Sequence, residues 1–211
     1  MQKIFVDSVL KACDEALKLK SFETPRNGTR FIRLDENFLG WVGLNKGNYA
    51  DNLQINPFIG IHCIPIMRLN SHLAAEKYKQ GVSASYAIHM GEIAPKLRQF
   101  IFSSSTDLHD EAERLANEIA THALPWMKAH ASYEILIPLF ESKLEMLGGY
   151  PERYVSALYY SGKIEKAKNF VQERTDIFDP NDKGVYSLYE KFGKPFLDML
   201  EGEKDRNSCG A

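Results

Sequence analysis

Apolar and polar positions change rhythm once along this chain, and the change predicts two kinds of structure in succession. Over residues 3–20 the apolar positions Ile4, Phe5, Val9, Leu10, Cys13 and Leu17 recur near helical spacing, with Lys, Asp and Glu between them. The chain therefore opens on an amphipathic helix. Thr24-Pro-Arg-Asn-Gly28 breaks it with turn chemistry. Arg30–Leu34 and Phe38–Leu44 read as two strands joined by the polar connector Asp35-Glu-Asn37, which suits a hairpin. A longer extended segment, Leu53 to Leu69, carries Ile55, Phe58, Ile59, Ile61, Ile64 and Ile66. Proline lacks the N–H that a strand ladder uses, so Pro57 is expected at an edge or bulge, and the strand is expected to bend or end at Pro65. Asn70-Ser71 is placed to cap a short helix to about Gln80. Tyr86–Met90 and Leu97–Phe102 supply further strands.

From Ser105 the period becomes 3.6. Thr106 or Asp107 caps a helix to about His122, with Leu108, Ala112, Leu115, Ala116 and Ile119 on one face. Pro125 is expected to restart the chain. Ser132 caps the next helix, with Ile135, Leu136, Leu139, Phe140, Leu144 and Leu147 inward, ending at Gly148-Gly149. Pro151 opens another, where its missing N–H costs nothing. Ala157-Leu-Tyr-Tyr-Ser-Gly-Lys-Ile-Glu-Lys-Ala167 reads as a helical hairpin turning at Gly162, with Leu158, Ile164 and Phe170 in a shared core. Val185–Leu200 makes a last helix with Pro195 as a potential kink, and the polar end, 201–211, reads as frayed. Strands first and helices afterwards predict an α+β fold. It consists of an N-terminal helix and mostly antiparallel sheet (1–104), an antiparallel helical lobe (105–200) packed on it as one unit, and a tail (201–211).

Composition narrows the function. A net charge of −2 lacks the excess of Lys and Arg that a nucleic-acid binder usually shows, so no nucleic-acid partner is expected. The longest apolar-rich run, Phe58–Met67, is far short of the roughly 20 residues a membrane span needs, and the N-terminus does not read as a signal peptide. Cys13, Cys63 and Cys209 are widely spaced with no C-x-x-C pair, which predicts reduced thiols and a cytoplasmic setting rather than disulfides or zinc.

The order of short strings carries a resemblance. An N-terminal helix is followed by a Phe-x-Arg strand, Gly40-Trp-Val-Gly-Leu44 and Phe58-Ile-Gly-Ile-His62. Then come His122-Ala-Leu-Pro-Trp126 and the Ala157–Ala167 hairpin. Over about residues 1–200 the chain resembles a family of small bacterial proteins known only as a domain of unknown function. Proteins of that general build also occur as candidate immunity proteins beside toxin genes. The resemblance implies an α+β fold, a cytoplasmic bacterial setting and no catalytic residues.

The chemistry-bearing residues point the same way. The six histidines contain no pair three or four apart, the spacing a helical metal site favours. His62 and His89 lie on strand candidates and would approach only if those strands pair. Ser103-Ser-Ser105 lacks a nucleophile-elbow context, and Cys63 sits between isoleucines as packing. Asp107, Asp110, Glu111 and Glu113 fall in a helix's first turn, where they complement its dipole. No catalytic, metal or cofactor site is assigned. Tyr150, Tyr154, Tyr159, Tyr160, Tyr186 and Tyr189 crowd the helical half. With Trp41 they are the candidate partner-binding residues, since such rings bury area while their polar tips stay wet. The expected function is protein binding without catalysis, as an immunity protein that occludes a cognate toxin. The acidic clusters, including Asp176, Asp179 and Asp182, would suit a basic partner. The alternative is an enzyme with its site on the sheet near His62 and His89. The oligomeric state stays open.

Overall fold

Asp35 turns the first hairpin. Its carboxylate accepts the N–H groups of Asn37 and Phe38 at 2.7 and 2.8 Å, an Asx-type turn that reverses the chain. In the computed structural model, which describes residues 3–24, 29–146, 149–176 and 189–208, this hairpin joins β1 (Phe31–Arg33) to β2 (Phe38–Asn48). β2 pairs antiparallel with β3 (Asn52–Cys63) in unbroken register from Phe38↔Cys63 to Asn48↔Leu53. β3 is the central strand. On its other edge it pairs with β5 (Phe100–Ser103) through Asn52–Ile55, and with β4 (Tyr86–His89) through Phe58–Ile61. Pro57 falls in the gap between those two partners. The Ile61 carbonyl accepts the Ser85 N–H at 2.6 Å, so odd residues of β3 bond toward that edge, and the missing N–H of Pro57 faces the gap. A proline is thus carried inside a central strand without losing a ladder bond.

The chain forms two compact units, Met1–Cys63 with Gln80–Ser132, and Ile64–Lys79 with Tyr133–Ala211. In the first, alternation along β3 sends Leu53, Ile55, Ile59 and Ile61 inward, all fully buried. They share a core with Phe100 and Phe102 of β5 and with the helices of this unit. Those helices are α1 (Lys3–Leu19), which buries Val9, Cys13, Ala16 and Leu17, and α3 (Leu108–Glu118). Asp107 caps α3 by accepting the His109 and Asp110 N–H groups, while Asp110 and Glu111 occupy the first turn. The expected break at Pro125 is absent. α3 runs through a π-helical turn, Ile119–Ala123, into α4 (Leu124–His130). There the Leu124 N–H bonds back five residues to the Ile119 carbonyl. The wider turn shifts the bonding pattern so that Pro125 enters α4 at its first turn, where no donor is required.

In the second unit, β3 gives way at once to α2 (Ile64–Leu73). The strand expected to reach Leu69 therefore ends at Cys63, and Asn70-Ser71 lie inside a helix rather than capping one. Pro65 suits the first turn of a helix better than a ladder, and Ile64, Ile66 and Leu69 give the helix a buried face. α5 (Tyr133–Glu141) buries Leu136, Ile137 and Phe140. It ends earlier than expected, tightening into turns after Pro138; Leu147 and Gly148 lie outside the described residues, as do residues 25–28. α6 (Pro151–Tyr160) and α7 (Ile164–Asp176) form the expected hairpin. Gly162 takes φ of +79°, and the Lys163 N–H closes on the Leu158 carbonyl at 2.9 Å, a left-handed C-terminal cap. Ala157, Leu158 and Ala167 are fully buried as expected, whereas Ile164 is 40% exposed at the first position of α7, off the shared core. α8 (Lys194–Ser208) follows a π turn at Tyr189–Gly193. It carries Pro195 in its first turn rather than at a kink, and its backbone stays helical beyond Leu200, to Ser208. The architecture is α+β.

Candidate functional site

The alternation that buries the odd residues of β3 turns its even residues outward, and the strand registers arrange them in rows. Gly43, Phe58 and His89 stand side by side across β2, β3 and β4. The next row holds Asn45 and Asn56, and the one after it Gly47, Gln54 and Ile101. Trp41 lies in the row on the other side, beside Gly60 and Ala87. Two glycines seat rings: a Cβ at Gly43 would lie 2.4 Å from the Trp41 ring, and one at Gly47 would lie 3.0 Å from the Tyr49 ring. Both aromatics are thus folded down along the sheet. The face stays open, with Asn45 and Tyr49 exposed and Trp41, Phe58, Asn56 and His89 half-buried. The connector from β4 to β5 adds Lys96, Arg98 and Gln99, all exposed, and together they enclose a wide-mouthed cleft of about 710 Å³.

His89 is held in place by its own connector. Its Nδ1 accepts the Gly91 N–H at 2.9 Å, its backbone N–H donates to Glu92 Oε1 at 3.0 Å, and its ring meets Phe58 edge-on at 5.2 Å. Nδ1 as acceptor leaves the neutral ring's proton on Nε2. His62 is elsewhere. β3 and β4 do pair, but His89 sits opposite Phe58, four residues from His62 and about 13 Å along the strand. His62 is fully buried under residues 81–83, with Nδ1 bonded to the Ser83 carbonyl at 2.7 Å and Nε2 facing the Gly81 N–H at 3.5 Å. It anchors a loop, and the two histidines form no shared site.

The tyrosines divide by role. Tyr154 is 1% exposed, packs edge-on against Phe170, and donates its hydroxyl to Glu141 at 2.8 Å, so it is a core residue. Lys166 also bonds Glu141, at 3.0 Å. Those bonds hold the Glu141 carboxyl below the usual range, burial pushes the Tyr154 phenol up, and Tyr154 and Glu141 raise Lys166. Each group is locked in its ordinary charge form, which does not favour proton transfer near neutral pH. Burial and a 2.8 Å bond to Glu203 push the Tyr159 hydroxyl up to about 12. Tyr160, 41% exposed, stacks on Tyr133 and meets Tyr159 edge-on. Tyr150, 48% exposed, carries the Arg153 guanidinium 3.6 Å from its ring centroid. Among the described residues of this set, Tyr150 and Tyr160 are therefore the two that offer most surface. Tyr186 and the Tyr189 side chain lie outside the described residues, as do Asp179, Asp182 and Cys209. Trp41 belongs to the sheet unit, and its Nε1–H is buried without an acceptor among the described residues.

Cys13 and Cys63 are both buried as reduced thiols, and burial pushes Cys13 up to about 12, the reverse of what a nucleophile needs. Among the described residues no three His, Cys, Asp or Glu side chains converge to hold a metal ion, and no helix is long and apolar enough to cross a membrane. The open face was legible in part. Asn52-Leu-Gln-Ile-Asn56 alternates polar and apolar residues, which marks a half-buried strand and puts its amides on one side. The contribution of Lys96 and Arg98 from a distant connector was not. No protein-family model, curated protein or solved structure matches the chain.

Proposed function

We propose that this protein acts by binding another protein through the outward face of its sheet, with occlusion of that partner as its effect. The observation that carries the reading is the pair of open rows, Phe58 with His89 and Asn45 with Asn56, that line a cleft of about 710 Å³. Aromatic rings and amides on a rigid, uncovered surface supply contact area and hydrogen bonding at little conformational cost. Cys13, Cys63, His62 and the Tyr154–Glu141–Lys166 cluster are engaged in packing or bonding, which supports a binding role over a catalytic one. In keeping with the family it resembles, the protein serves as a bacterial cytoplasmic immunity protein, and its partner is a toxin whose working surface it covers.

The test is affinity capture from the native cells, comparing the tagged protein with an Asn45→Trp variant. Asn45 is exposed at the middle of the face, so a bulky ring there blocks docking without touching the core. One stoichiometric partner lost from the variant is the expected result. Equal capture by both forms would overturn the sheet-face reading.

A further inference from the structure

The cleft on the open face is lined by charges of one sign. Lys96 and Arg98 stand exposed at its rim, and neither forms an ion pair or hydrogen bond among the described residues. No carboxylate lines the cleft, although the chain as a whole carries a net charge of −2. Glu92, the acid of the same connector, is turned back onto the His89 N–H. The formally charged side chains that line the cleft are therefore both positive.

The same cleft is lined by Asn45, Gln54 and Asn56. Each amide both donates and accepts, as a peptide backbone does, and Phe58 supplies an apolar floor. From Gln54 to Phe58 the strand runs about 13 Å, the span of roughly four residues of extended chain. We propose that this cleft receives an extended acidic segment of a protein partner, whose Asp or Glu side chains pair with Lys96 and Arg98 while its backbone bonds to the amides. The inference rests on the sheet-face reading above and adds the chemistry of the partner. A nucleic acid strand fits less well, because affinity for it grows with the number of phosphates neutralised and this surface offers two cations.

The experiment is fluorescence polarisation with the full chain at low salt. The probes are a labelled octapeptide alternating Glu with apolar residues, its Gln counterpart, and a single-stranded thymidine 12-mer. The Glu peptide is expected to bind about tenfold more tightly than the Gln peptide. That advantage should vanish at high salt and in the Lys96→Glu/Arg98→Glu variant. Equal binding of the two peptides, tighter binding of the oligonucleotide, or no binding by either peptide overturns the acidic preference. Cell capture separates the two levels. A partner retained by the charge-reversed variant but lost with Asn45→Trp overturns this inference and leaves the sheet-face reading standing; one retained by both variants overturns that reading as well.

Discussion

Gly60 is the position at which the open sheet face is most easily broken, and the geometry says by how much. A Cβ built there would lie 2.3 Å from the Tyr86 carbonyl oxygen, 2.9 Å from the Ala84 Cβ and 3.0 Å from the Ala87 Cβ. The nearest obstacle is backbone of the paired strand, so no side chain can swing away to relieve it. Gly60→Ala must push β4 off β3 by about 1 Å. Overpacking of this kind costs about 1–3 kcal/mol, and each strained ladder bond adds roughly 1 kcal/mol. A loss near 3 kcal/mol, confined to the β3–β4 pairing, is the expected outcome. Because β4 ends in His89, the row of Gly43, Phe58 and His89 loses its third strand with it. Gly162→Ala is the contrasting variant. Its Cβ would meet nothing within 4 Å, so the cost is the left-handed backbone alone, about 1 kcal/mol. Hydrogen-exchange mass spectrometry reads both locally. In Gly60→Ala the amides of Tyr86–His89 should exchange about a hundredfold faster, and in Gly162→Ala those of the α6–α7 turn roughly fivefold faster. Unchanged protection of Tyr86–His89 in Gly60→Ala would refute the steric argument.

Other outcomes follow from buried groups. The Cys13 thiol is raised to about 12 against roughly 8.5 in an unfolded chain. Its contribution to stability is therefore complete below about pH 8.5 and is lost as pH rises toward 12, with a slope approaching about 1.4 kcal/mol per pH unit between those values. Urea midpoints measured from pH 7 to 10.5 should fall more steeply for the native chain than for Cys13→Ala. Native Cys13 should also resist iodoacetamide at pH 8 until urea unfolds the protein, and rapid native alkylation would contradict its burial. The Ser156 hydroxyl, fully buried, donates to Asn70 Oδ1 across 86 residues of sequence. Ser156→Ala should cost about 1–2 kcal/mol by urea unfolding. A cycle with Asn70→Ala should show a coupling of at least about 0.5 kcal/mol, and additive losses would mean the bond adds nothing.

Local chemistry made much of this fold legible. The Asp35 turn, the Asp107 cap, the Gly162 hairpin and the polar–apolar alternation of β3 are each decided by residues within a few positions of one another, and the sequence by itself determined them along with the α+β class. Proline exposed the limit of that reasoning. Pro57, Pro65 and Pro125 all signal a missing donor, but only the assembled structure shows where that donor would have pointed: into a gap between β4 and β5, into the first turn of α2, and into the start of α4 after a π turn. Side-chain roles met the same limit. Tyr154 and Tyr160 look alike in sequence, yet one is sealed against Phe170 and Glu141 and the other lies open beside Tyr133. His62 and His89 sit on paired strands, and register alone kept them apart. The cleft itself joins β2, β3 and the connector near Lys96, segments some 50 residues apart. Long-range pairing decided that neighbourhood, because which side chains share a surface depends on register and burial, which no local pattern encodes.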